Sequence, residues 1–87
     1  MRAVQVTPQF AHDVRDVPEP VRDAADRVIQ ALRVNPTDQQ IGVKKLHGIT
    51  PAVWRVRLGR YRLVYSFTKT AVILHRIRLR KDIYRSL

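Results

Sequence analysis

Apolar residues change their spacing twice along the chain. In residues 1–6, Val4 and Val6 alternate with polar neighbours, the two-residue period of a short strand. Thr7 followed by Pro8 then supplies an N-cap with proline at the first helical position. Phe10, Val14 and Val17 recur at spacings of four and three, which predicts a helix ending at Pro18. Glu19 and Pro20 open a longer helix. Its stripe is Val21, Ala25, Val28 and Leu32, widened by Ala24, Ile29 and Ala31, with Arg22, Asp23, Asp26, Arg27 and Arg33 opposite. Asn35 before Pro36 stops it, and residues 36–42 are polar enough for a loop. The two helices form a hairpin with one stripe for a sheet to cover.

The period returns to two in "VWRVRLGRYRLVYSF". Trp54, Val56 and Leu58 share one parity, Arg55 and Arg57 the other. Gly59 and Arg60 give a tight turn. On the returning strand Leu63, Tyr65 and Phe67 are expected on the core side, with Arg62 and Val64 opposite. After a turn at residues 68–70, the last long strand places Ile73, His75, Ile77 and Leu79 on one side and Arg76, Arg78 and Arg80 on the other. The predicted fold class is therefore α+β. Two N-terminal helices pack on one face of a small twisted antiparallel sheet, in the order β-α-α-β-β-β, with a short C-terminal turn or helix.

Charge sharpens this picture. The 87 residues carry 17 Lys plus Arg against 7 Asp plus Glu, a net charge of +10. Residues 1–43 hold five Arg and six acids, whereas residues 44–87 hold twelve basic residues and one acid, Asp82. The excess charge thus belongs to the meander. Strand alternation would gather Arg55, Arg57, Arg62, Arg76, Arg78 and Arg80 on the sheet face away from the helices. Such crowding is repulsive and only partly screened, so stability alone does not favour it. A polyanion across the face would relieve it, and guanidinium matches phosphate in a two-pronged way.

Composition removes several classes. The length gives a single domain spanning 1–87 with one modest core. No cysteine is present, which excludes disulfides and thiolate metal sites. Three scattered His and no carboxylate cluster predict neither metal nor cofactor. No apolar run reaches the ~18 residues of a membrane span and no apolar leader is visible, so a cytoplasmic location is expected. His75 lies on the core parity and reads as a packed or edge histidine rather than a catalyst. His47, in "KKLHG", reads as a loop residue with a substrate contact as the second reading. Tyr84, in "RKDIYRSL", has two readings of equal weight. It stacks a base among arginines, or with Ile83 it tacks a C-terminal turn onto the core.

"KKLHG", "WRVRLGRYRLVYSF" and "LRKDIYR", following a strand and a helical hairpin, together resemble the RelE/ParE toxin superfamily, most closely its RelE branch. The resemblance covers almost the whole chain. It implies the toxin of a type II toxin–antitoxin pair, with a cognate antitoxin, the ribosome and mRNA as partners. It further implies a metal-independent endoribonuclease that cuts translated mRNA in the ribosomal A site, the 2′-hydroxyl attacking the adjacent phosphate. By the same resemblance the catalytic positions fall on Arg57, Arg62, Arg80 and Tyr84, with Arg78 the alternative to Arg80. RNA contacts are expected from Arg55, Arg76, Arg78, Lys44, Lys45 and His47. Some relatives carry lysines at the positions of Arg55 and Arg57, and arginine does not serve as a proton acceptor. The general base and acid are therefore unassigned by sequence. Two further functions fit the charge or the fold: a ParE-like DNA gyrase inhibitor, and a non-catalytic RNA-binding module.

Overall fold

The structure is a computed structural model that describes residues 1–86. Its elements run β1 (Ala3–Val6), α1 (Pro8–Val14), α2 (Glu19–Val34), a 3₁₀ turn (Gln39–Ile41), β2 (Lys44–Lys45), β3 (Trp54–Leu58), β4 (Tyr61–Phe67), β5 (Ala71–Leu79), α3 (Arg80–Ile83) and a last 3₁₀ turn (Tyr84–Ser86). Thr7 caps α1 as its sequence predicts, its hydroxyl oxygen accepting from the Phe10 amide at 3.2 Å. The same hydroxyl donates to the Leu74 carbonyl at 2.9 Å, so the cap also ties the start of the helix to β5.

The sheet has five strands in the order β1-β5-β4-β3-β2. β3, β4 and β5 form the expected antiparallel meander. β1 joins β5 in parallel, from Ala3 opposite Ala71 to Val6 opposite Leu74, which makes the sheet mixed. β2 is an additional edge strand of two lysines, too short for any alternation to announce it. The helices cover one face. Phe10, Val17, Ala25, Ile29 and Leu32 meet Val56, Leu58, Leu63, Tyr65, Val72, Leu74 and Ile77 in the main core. The Tyr65 hydroxyl, fully buried, donates to the Pro36 carbonyl and so fastens the loop after α2 to the central strand.

One irregularity redistributes the β5 side chains. Val64 pairs with Arg76, but the next residue, Tyr65, pairs with Leu74. His75 is thus the extra residue of a β-bulge, and parity reverses across it. Val72 and Leu74 face the core before the bulge and Ile77 faces it afterwards. This corrects the expectation that Ile73 and His75 share the core face. Both are half-exposed, and His75 Nε2 lies 2.7 Å from the Ser66 hydroxyl.

Beyond the end of β1 the edge of β5 is taken up by α1. Asp13, buried, accepts from Arg76 Nε at 2.7 Å and Nη2 at 2.9 Å, and from the Ile77 amide at 3.2 Å. Ile77 pairs with Leu63 on its other side, so the carboxylate serves the edge that β1 does not reach, and the arginine balances its charge.

Candidate functional site

The face away from the helices has two parts. Val53, Val64 and Ile83, with Leu46 and Ile49 against them, form a second apolar cluster. The four-residue α3 is too short to persist alone, and Ile83, fully buried, pins it to the sheet. Tyr84, immediately after, is 52% exposed. Of the two readings for this segment, tacking belongs to Ile83, while the tyrosine stays accessible.

The basic part lies beside this cluster. Pairing places Arg57, Arg62 and Arg78 in one row across β3, β4 and β5. Side chains directly opposite in an antiparallel pair share a face, so these three guanidinium stems emerge together. Arg62 occupies the central strand and is 5% exposed. Its Nη1 donates to the carbonyls of Gly59 and Tyr61, each at 2.9 Å, which folds the guanidinium back under the β3–β4 turn. Burial lowers its pKa first, and the neighbouring charges of Arg57, Arg55 and Arg80 lower it further. The ionisable Tyr84 hydroxyl acts in the opposite sense. Arg55, Arg57, Arg80 and Tyr84 are therefore close enough for their charges to be felt at Arg62.

A groove of about 440 Å³ opens here, lined by Gly59, Arg60, Arg62, Leu79, Arg80 and Lys81. Gly59 turns at a φ of 63°, which favours glycine, and nothing lies within 4 Å of where its Cβ would be. The backbone of a ligand therefore has room beside the turn. Arg80 is held next to Arg60 by its amide, which donates to the Arg60 carbonyl at 2.8 Å. A phosphate in this groove would meet several guanidinium groups, one of them fixed in place before the ligand arrives.

The expected contacts outside this group fall in different places. Arg76 lies on the outer face by register, yet its guanidinium turns over the β5 edge to Asp13 and leaves the basic cluster. Asp13 holds it there while also accepting from the edge amide of Ile77, so Arg76 does not join the groups around Arg62. Lys44 pairs with Arg55 and shares its face. Lys45 pairs with Trp54, and its Nζ lies 5.8 Å from the Trp54 ring centroid, on the opposite side of the sheet. His47 is exposed in the loop between β2 and β3 and does not line the groove. Sequence reasoning passed over Gly59, Arg60 and Lys81 as groove residues. The signal was available in their position, flanking the turn and directly following Arg80. Among the described residues no group of His, Asp or Glu is arranged to hold a metal ion, and no helix is long and apolar enough to cross a membrane.

Residues 4–84 match the family described as "ParE toxin of type II toxin-antitoxin system, parDE". Among solved structures, the RelB–RelE antitoxin–toxin complex of Methanococcus jannaschii contains a chain 24% identical, with a TM-score of 0.74, covering 95% of this chain and 98% of that one. The RelE–RelB complex of Pyrococcus horikoshii OT3 gives 22% identity, a TM-score of 0.76, and coverage of 91% and 94%. The DinJ–YafQ complex of E. coli gives 15% identity, a TM-score of 0.69, and coverage of 97% and 99%. At these identities the likeness is one of fold. No curated protein matches the chain by sequence.

Proposed function

The chain belongs to the ParE toxin family of type II toxin–antitoxin systems, and on that premise we propose that it inhibits translation as a ribosome-dependent endoribonuclease. The observation that carries this reading is Arg62, fixed by two carbonyls, lining an open groove and within electrostatic reach of Arg55, Arg57, Arg80 and Tyr84. Cleavage by the RNA's own 2′-hydroxyl needs no metal. It needs the 2′-oxygen in line with the phosphorus, and positive charge where the phosphorane gains negative charge. Arg62 and Arg80 hold the phosphate and that charge, Arg57 approaches from the neighbouring strand, and Tyr84 stacks on the nucleotide. The enzyme works in the cytoplasm, where its message is translated. A cognate antitoxin silences it. An acidic or amphipathic segment laid over this basic surface would both neutralise the groove and block entry to the ribosome.

The test adds purified protein to ribosomes stalled on a defined message and maps new ends by primer extension. Cuts in the A-site codon are expected with ribosomes present. Arg62→Lys keeps a charge but loses the fork and one of its anchoring bonds. It should cut at least ~100-fold more slowly with unchanged circular dichroism. An intact message with the unaltered protein would remove the endoribonuclease reading. The ParE description favours a second function, inhibition of DNA gyrase. Trapped gyrase–DNA cleavage complexes, with the message left whole, would establish that reading instead.

A further inference from the structure

The groove beside Arg62 contains one side chain whose chemistry differs from that of its neighbours. Its lining is Gly59, Arg60, Arg62, Leu79, Arg80 and Lys81, with no carboxylate and no imidazole among the described residues. We propose, resting on the endoribonuclease reading, that Lys81 is the general acid that protonates the departing 5′-oxygen.

The need arises from the arginines themselves. They stabilise charge, but guanidinium keeps its protons under all ordinary conditions, whereas an ammonium can give one up. The 5′-alkoxide expelled from phosphorus is a poor leaving group until it gains a proton, and supplying that proton is worth ~10²–10⁴ in rate. The other proton-bearing groups nearby stand elsewhere. Asp82 lines the adjoining cleft with Asp13 and Asp16, and His47 lies in the loop before β3. Tyr84 follows α3 directly and its charge is felt at Arg62, but it does not line the groove. Lys81 directly follows Arg80 at the start of α3, and the burial of Ile83 two residues later fixes that helix against the sheet. Its ammonium is solvent-exposed, so water restores the proton after each turnover.

The step balances as follows. The 2′-oxygen bonds to phosphorus and its proton passes to water. The bond from phosphorus to the 5′-oxygen breaks, its electron pair stays on that oxygen, and the oxygen takes a proton from Lys81 Nζ. The products are a 2′,3′-cyclic phosphate end and a 5′-hydroxyl end, and the neutral amine regains its proton from solvent.

A sulfur atom in place of the bridging 5′-oxygen leaves as a thiolate and needs no proton. Lys81→Arg, which keeps the charge, should therefore cut an ordinary ribosome-bound message at least ~100-fold more slowly than the unaltered protein. On a message with 5′-sulfur at the scissile position the two proteins should differ by less than ~10-fold. Lys81→Gln should behave in the same way, which separates proton transfer from charge. Equal rates on the ordinary message, or an equal defect on both messages, would overturn the assignment while leaving the endoribonuclease reading intact. An unaltered protein that cuts neither message overturns both.

Discussion

Arg62 and His75 are both disfavoured as cations by burial, and the consequences diverge because their ordinary pKa values lie far apart. The arginine begins so far above neutrality that it stays charged at neutral pH even though burial and its neighbours lower its pKa. The histidine starts from 6.5, inside the range where cells and buffers vary. Its folded-state pKa lies below that of the unfolded chain, so below pH ~6.5 the unfolded chain binds more protons. Stability is then complete above that value and falls as the pH drops toward the folded-state pKa. Thermal unfolding followed from pH 7.5 to 5.5 should show a declining midpoint, and His75→Gln should flatten the decline. An identical decline in the variant would place the acid sensitivity elsewhere. At this scale the sequence was legible wherever alternation was regular. Arg57 and Arg62 share a face as read, but His75 sits at a bulge and does not share the core face with Ile77. One extra residue in a strand changes no propensity, yet it puts the residues on its two sides on opposite parities, so Val72 and Leu74 face the core where Ile73 was read.

Among the helices, α3 is the shortest, and it borders the groove. Four residues carry Arg80 and Lys81 and present Tyr84, and Ile83 inserted beside Val53 and Val64 holds them to the sheet. Ile83→Ala should cost ~2–4 kcal/mol in denaturant unfolding. It should also slow message cleavage at least ~10-fold under conditions where circular dichroism shows the chain still folded, because the groove loses its outer wall first. Cleavage at the unaltered rate per folded molecule would show that α3 does not position the site. The helices and the three long strands were readable from period and caps. The second cluster was not, because its members, Leu46, Ile49, Val53, Val64 and Ile83, come from one loop, a strand and a helix and share no period. Its presence explains why the outer face is only partly basic.

Across the whole molecule, the separation of charge survives folding in a reduced form. Arg76 is withdrawn to Asp13 and Lys45 faces the other side, while Arg55, Arg57, Arg62 and Arg80 stay together. Such a surface binds a polyanion by displacing counterions, so affinity for single-stranded RNA should fall steeply between 50 and 200 mM salt. Arg57→Gln should reduce the slope of log K against log salt by about 0.7, the contribution of a single phosphate contact. An unchanged slope would remove Arg57 from the RNA contacts. The parallel pairing of β1 with β5 has a further consequence, which concerns the order of synthesis. Ala3 finds its partner at Ala71, and the carboxylate of Asp13 finds its partners at Arg76 and Ile77. At roughly 5–20 residues per second, the first strand and helix emerge several seconds before the strand that completes them. During that interval the apolar stripe of the helical hairpin has no sheet to cover it. The hairpin formed first must therefore wait, with its stripe uncovered, until the last strands leave the ribosome and close the core over it.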